Sequence, residues 1–348
     1  MHSLRRPRPL VFGAAIAALV LAVVVGVIAG TSGIAPGRVL LEVLDRLTPG
    51  RIDSGLDLRE RNIVWQLRMP RVVLAGLVGA MLSLAGASYQ GVFRNPLVDP
   101  YLLGAAAGAG LGATIAISYL RSSRESWPVD PIVGLGFVGA IVAVVATYLV
   151  GAAGGAGGAR TSTSLVLAGV AVTAFATAFQ TFLQRQDDET RREVFSWILG
   201  RLNTATWGDV RLVAPYIAVS TAVLLMYRRQ LDVLRVGEDE AGALGAQVSR
   251  TRLWVVAAAT LGTAAAVSVS GLISFVGIIV PHTVRLLGGA SFRRVLPLSL
   301  LVGAAFLIAT DTFARTASGG DNIPIGVVTA FFGAPFFIVL MRTRAVAR

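Results

Sequence analysis

Few side chains in this sequence can do covalent chemistry. Cysteine is absent, histidine occurs only as His2 and His282, and all thirty-one basic residues are arginine. With no lysine, neither a P-loop phosphate cradle nor a Schiff base can form. With no cysteine, thiolate catalysis, disulfides, iron–sulfur ligation and cysteine-based zinc sites are excluded. The chain therefore lacks the usual machinery for ATP hydrolysis, and a resident redox metal is not expected. Carboxylates are scarce where they would matter most: Asp311 is the only one near the interior of a long apolar run. Proton- and sodium-coupled carriers draw on intramembrane carboxylates or histidines as relays, so this scarcity argues against ion coupling.

The apolar runs are the elements that must position these few groups. Apolar residues make up 55% of 348, charged ones 14%, and mean hydropathy is +0.72; a soluble domain averages about 25% charged. Charge-free runs cover Pro9–Gly37, Val72–Phe93, Tyr101–Leu120, Pro131–Ala159, Thr161–Gln184, Leu212–Tyr227, Leu253–Val284, Val295–Thr310 and Asn322–Met341. They predict an all-helical polytopic membrane protein of about ten spans, forming one domain over residues 1–348. Abundant glycine and alanine, as in Gly104-x-x-x-Gly108, suit close helix packing.

The run Leu253–Val284 must hold two passes. Its thirty-two residues would reach roughly 48 Å as one helix, against a hydrocarbon core of about 30 Å. A break is therefore expected near residues 271–285, where Gly271 and Pro281 lie. At membrane depth a break leaves backbone groups unpaired, which is tolerated only where it is packed in protein or lines a cavity.

The remaining segments are connectors and surface elements. Arg5, Arg6 and Arg8 before an apolar run resemble a secretory signal, but about twenty apolar residues exceed a usual signal core, so a retained first span is expected. Thr31–Arg68 and Gln184–Arg211 read as short surface helices on the outer side. Arg228–Arg252 contains VGEDEAGALGAQVSR, whose acidic start at Glu238-Asp239-Glu240 favours a helix N-terminus on the cytoplasmic face, with a solvated loop as the alternative. With a cytoplasmic N-terminus, an even number of spans returns the C-terminus to the same side. Arginines divide almost evenly between the two sides, so charge bias barely decides orientation. Asn95, Pro96, Asp99 and Pro100 read as a rigid turn.

Four segments together resemble the FecCD family, the permease subunits of type II ABC importers for iron–siderophores, haem and vitamin B12. They are LRMPRVVLAGLVGAMLSLAGASYQGVFRNPLVDPYLLGAAAGAG, VGEDEAGALGAQVSRTR, GLISFVGIIVPHTVRLL and DNIPIGVVTAFFGAPFFIVLM, in order from about Arg68 to Met341. The resemblance implies that Arg68, Arg71 and Arg315 meet glutamates of a soluble, extracytoplasmic binding protein. It implies a coupling segment over residues 237–248 that docks an ATPase, with Glu238, Ala241 and Gly245 facing the groove. Thr161, Ser162, Thr163 and Ser164 would form the cytoplasmic gate, although four hydroxyls at a helix start also suit a cap. His282 beside Pro281 reads as a hydrogen-bonded structural group, with ligation of a passing haem or chelate as the sharper alternative.

The resulting expectation is a permease in a bacterial cytoplasmic (inner) membrane, both termini cytoplasmic, acting as a pair of identical copies with two cytoplasmic ATPase subunits. Cargo would be an iron(III)–siderophore or related metal chelate, with haem or cobalamin as alternatives. No cofactor is expected on this chain, ATP and magnesium belonging to the partner, and no nucleic acid is involved. Readings of other classes are an ion-coupled secondary transporter and a membrane scaffold.

Overall fold

The longest apolar helix, Leu58–Val92, is built in three registers: α3 (Leu58–Asn62), a π-helical turn (Ile63–Arg68) and α4 (Met69–Val92). Its 35 residues reach roughly 52 Å, so one end stands clear of a bilayer's hydrocarbon. The computed structural model describes residues 8–30, 32–48, 53–153, 162–185, 187–317 and 323–346. Among them all regular structure is helical. Besides α3 and α4, the order is α1 (Arg8–Ile28), α2 (Pro36–Leu47), α5 (Ala105–Tyr119), α6 (Pro131–Ala153), α7 (Ser162–Leu183), α8 (Asp188–Ile198) and α9 (Trp207–Met226). There follow α10 (Arg228–Leu234), α11 (Glu238–Ala243), α12 (Val248–Ser270), α13 (Val276–Gly288), α14 (Phe292–Thr316) and α15 (Ile325–Val346). Seven helices are long and apolar enough to cross a membrane, and three shorter apolar ones, Ala105–Tyr119, Val276–Gly288 and Ile325–Ile338, accompany them. This is the polytopic helical architecture that the charge-free runs predict.

α4 forms the axis, packed by α12, α13 and α14, and glycines set how closely. A Cβ on Gly79 would collide with the Gly303 carbonyl of α14, and one on Gly86 with the Gly277 carbonyl of α13. Close backbone approach replaces side-chain burial as the source of contact, as expected where lipid competes for apolar surface. Polar side chains add interhelical bonds: Ser83 donates to the Ser299 carbonyl at 2.6 Å, and Tyr89 pairs with Thr260 at 2.8 Å.

The broken helix lies where expected, with one correction. The chain leaves α12 at Gly271 (φ 68°), runs irregularly to Phe275 (φ 68°), and re-enters helix at Val276. Pro281 takes no part in the break; it sits inside α13. The positive φ at Gly271, not the missing N–H of a proline, turns the chain, because only glycine adopts that angle without steric cost.

The connectors Thr31–Arg68 and Gln184–Arg211 contain short helices, as the sequence suggests. α8 is capped by Asp187, which accepts from Thr190 N–H at 2.6 Å. α9 opens on a Thr206–Asp209 capping box and α3 on an Asp57–Glu60 one. α2 is tied to the π turn through buried Glu42, which accepts from Ser54 at 2.5 Å and Trp65 at 3.0 Å and pairs with Arg61 at 3.3 Å. Burial opposes ionisation of Glu42, yet these bonds outweigh it and hold its pKa below the ordinary glutamate value.

Candidate functional site

At the end of the bundle carrying Arg68, the three arginines expected to stand free are spent on internal partners. Arg68 is 5% exposed and donates to the Val27 and Ile28 carbonyls at 3.1 and 2.9 Å and to Ser32 at 2.6 Å. Arg315 is also buried and donates to the Gly26 carbonyl. Two guanidiniums thus satisfy the last carbonyls of α1, which have no intrahelical partner. Arg71 reaches across to α14 and grips Asp311 through Nε and Nη2 at 2.9–3.1 Å. Asp311 is 1% exposed, so this fork is a buried bidentate pair joining α4 to α14. An outward docking role for Arg68, Arg71 and Arg315 does not match these positions, because each guanidinium is turned into the chain and bonded there.

Beside this pair, the exit of α8 makes a three-way junction with the helix break and the start of α15. Arg201 N–H donates to the Ser270 carbonyl at 2.7 Å, and Gly326 N–H to the Leu199 carbonyl at 2.9 Å. Gly200 turns with φ 83°. The junction borders a cavity of about 110 Å3 lined by Arg71, Ser196, Arg201, Asn203, Asp311 and Ile323, among others. Burial pushes the Arg201 pKa down.

Deeper in the bundle the two irregular segments meet. The link from α4 to α5 turns at Asn95 and Asp99, whose side chains accept from the N–H of Leu97 and Tyr101 at 3.0 and 2.9 Å. This is the rigid turn expected at Asn95, Pro96, Asp99 and Pro100, and it carries Tyr101 to the break. The Tyr101 hydroxyl donates to the Ile273 carbonyl at 3.0 Å and accepts from Ile273 N–H at 3.3 Å. Gln90 donates to the Val98 and Gly277 carbonyls at 3.2 and 2.9 Å, and its own carbonyl accepts from Arg285 at 2.6 Å. Ile273 in the break is therefore satisfied by Tyr101, and the Gly277 carbonyl, which loses its helical donor at Pro281, by Gln90; such pairing within protein is what irregular backbone needs at membrane depth.

Sequence reasoning missed Gln90, Tyr101 and Arg201. Gln90 had a signal, since it is the amide interrupting the apolar run of α4. Tyr101 and Arg201 had none, because their roles depend on segments about 170 and 70 residues away. His282 lies on α13 with its ring edge-on to Phe336 at 5.8 Å. Among the described residues no group of three or more His, Asp or Glu could hold a metal ion.

Residues 18–343 match the FecCD transport family. The chain belongs to that family. The cobalamin import system permease protein BtuC of Halobacterium salinarum is 42% identical over 287 residues, covering 82% of this chain and 74% of that protein. The hemin transport system permease protein HmuU of Yersinia pestis is 35% identical over 289 residues, covering 80% of this chain and 83% of that protein. A solved structure described as an inward-facing conformation of a metal-chelate type ABC transporter superposes with a TM-score of 0.80 at 28% identity, covering 97% of this chain and 99% of that one.

At the opposite end of this FecCD protein, residues 237–248 form the short helix α11 and its exit. Ala241 is wholly buried and cannot face a partner's groove, which corrects the expected facing set. Glu238 pairs with Arg252 of α12, tying α11 to a core helix. Gly245 is exposed, with φ 81°. The outward surface is instead carried by Gly242, Ala243 and Leu244, the last 73% exposed. Of the expected gate residues, Thr161 lies outside the described residues. Ser162, Thr163 and Ser164 open α7, with Thr163 exposed and Ser164 partly buried.

Proposed function

We propose that this chain is the permease subunit of an ABC importer that passes a metal chelate through a bacterial cytoplasmic membrane. The observation that carries the reading is family membership across residues 18–343, joined to a likeness in fold over 97% of the chain. The helix break supports it, because an irregular segment packed at membrane depth suits a moving, cavity-lining element better than a scaffold.

Two identical copies enclose the pathway, since one bundle alone offers no route for a nanometre-sized chelate and an isologous pair does. Two separate ATPase subunits supply the work, binding ATP and magnesium themselves. They engage the end bearing residues 237–248, where exposed Leu244 beside the acidic turn Glu238–Glu240 offers an apolar contact with a charged rim. Because Glu238 joins that segment to α12, a push on α11 reaches the helix that leads into the break. An extracytoplasmic binding protein docks at the other end, on the surface formed by α2 and α8, with Arg68, Arg71 and Arg315 supporting that surface from beneath. Thr163 and Ser164 at the start of α7 form the cytoplasmic gate. An iron(III)–siderophore is the first cargo to test, followed by haem and cobalamin, which the names of relatives suggest.

Reconstitution tests the proposal. Chelate accumulation in liposomes is expected only with the ATPase, binding protein and ATP present, and it should persist when ion gradients are collapsed. Accumulation by this chain alone would overturn it. A cysteine at Leu244 is expected to crosslink to the ATPase, whereas one at Ala241 is not, because that position is buried.

A further inference from the structure

Arg201 borders the junction cavity and, among the described residues, has no side-chain partner. Its guanidinium is partly buried, its Nε has no hydrogen bond, and no described residue forms a side-chain ion pair with it. The carboxylates whose field reaches it are committed elsewhere. Asp130 binds Arg124, Glu193 binds Arg121 and Arg124, and Asp209 closes the α9 cap. Asp311, on the cavity wall, fills the fork of Arg71. Arg201 is also held in place, its own N–H bonded to Ser270 and the preceding Gly200 in a left-handed turn. A half-buried guanidinium whose nearby carboxylates are engaged elsewhere keeps capacity for an anion, and its planar fork matches two oxygens of one carboxylate.

We propose that Arg201 is an oxyanion-binding residue that holds a carboxylate of the passing chelate at the mouth of the permease, assisted by Ser196 and Asn203. This deepens the importer reading and rests on it. The cavity admits a carboxylate head, not a whole chelate, so the site acts as a selectivity contact. Chelates that display carboxylates are favoured over those that display only amides.

The test uses the full-length chain in nanodiscs, titrated calorimetrically with citrate at low and high salt, with glycerol as the neutral control. Saturable citrate binding is expected, weakened by high salt, reduced about tenfold or more in Arg201→Gln and less in Arg201→Lys. Absence of saturable binding, or equal binding by Arg201→Gln, overturns the proposal. Asp321, two residues before the cavity-lining Ile323 in sequence, serves as the control for an internal ion pair. Arg201→Gln is expected to melt no lower than the wild type, and Asp321→Asn to bind citrate unchanged. A fall in melting temperature shared non-additively by the two variants makes Arg201 half of an internal ion pair and overturns the site. ATP-driven uptake by the assembled transporter is measured alongside. Uptake that persists without citrate binding removes this site and leaves the importer standing, whereas uptake independent of ATP removes the importer itself.

Discussion

α4 and α7 are equally apolar helices with opposite surroundings. The apolar window of the helix containing α4 is 83% buried inside this chain, that of α7 only 28%. Their side chains explain the difference. α4 meets its neighbours through Gly79, Ser83 and Gly86, which let backbones approach, and through Arg71, Tyr89 and Gln90, which find polar partners. α7 carries Leu167, Val170 and the stacked ring series Phe175, Phe179 and Phe182 on an exposed face. In a bilayer, apolarity alone does not select burial, since lipid solvates leucine as well as protein does. Small and polar residues decide which helix becomes the axis.

The comparison is broken most directly at the ion pair between α4 and α14. Asp311→Asn removes the buried carboxylate that the Arg71 fork grips and is expected to cost up to about 3–5 kcal/mol, read as lost folded protein in detergent unfolding. A change under 1 kcal/mol would show that the pair is solvated. Next, Gly86→Val forces α4 away from α13 and should cost about 1–3 kcal/mol or more, with Gly86→Ala milder. If both variants are neutral, close approach is not what holds the axis. Tyr101→Phe removes the hydroxyl that both donates to and accepts from Ile273, for an expected loss of about 1–3 kcal/mol and faster proteolysis at the break.

A smaller effect is expected from pH. Burial disfavours charged Asp130, but hydrogen bonds from Arg124 and from Ile132 N–H outweigh it, so its folded pKa lies below the ordinary aspartate value. Its contribution is whole above the unfolded pKa, near 3.8, and is lost as pH falls through the lower folded value. Melting curves of wild type and Asp130→Asn should therefore converge on acidification below about pH 4. Smallest of all, Phe175→Ala on the exposed face of α7 should change stability by no more than about 0.5 kcal/mol. A large loss in detergent-solubilised single copies would place that ring in a core, against its exposure.

Much of the fold was legible in advance because hydrophobic length is a one-dimensional quantity. The excess of Leu253–Val284 over a bilayer's thickness announced two passes, and the acidic start of residues 237–248 announced α11. The site was less legible. Arg68, Arg71 and Arg315 were recognisable as basic residues at span ends, yet their direction was not. Each turns inward because α1 and α14 present acceptors that no local pattern reveals: the Gly26, Val27 and Ile28 carbonyls and the Asp311 carboxylate. Ala241 was misjudged for the same reason, since a six-residue helix has too few turns for periodicity to define its buried face.

By itself, the order of residues determined that this protein crosses a membrane many times, breaks one helix and has no lysine for a P-loop. Those conclusions need only composition and run length, because solvation in hydrocarbon depends on each segment separately. The tertiary structure decided that Arg68, Arg71 and Arg315 are bonded inside the chain while Arg201 borders a cavity, that Gly271 and not Pro281 makes the break, and that Tyr101 closes it. Those outcomes depend on which distant groups share a small volume, and partners for buried charge are chosen by packing, not by neighbours along the chain.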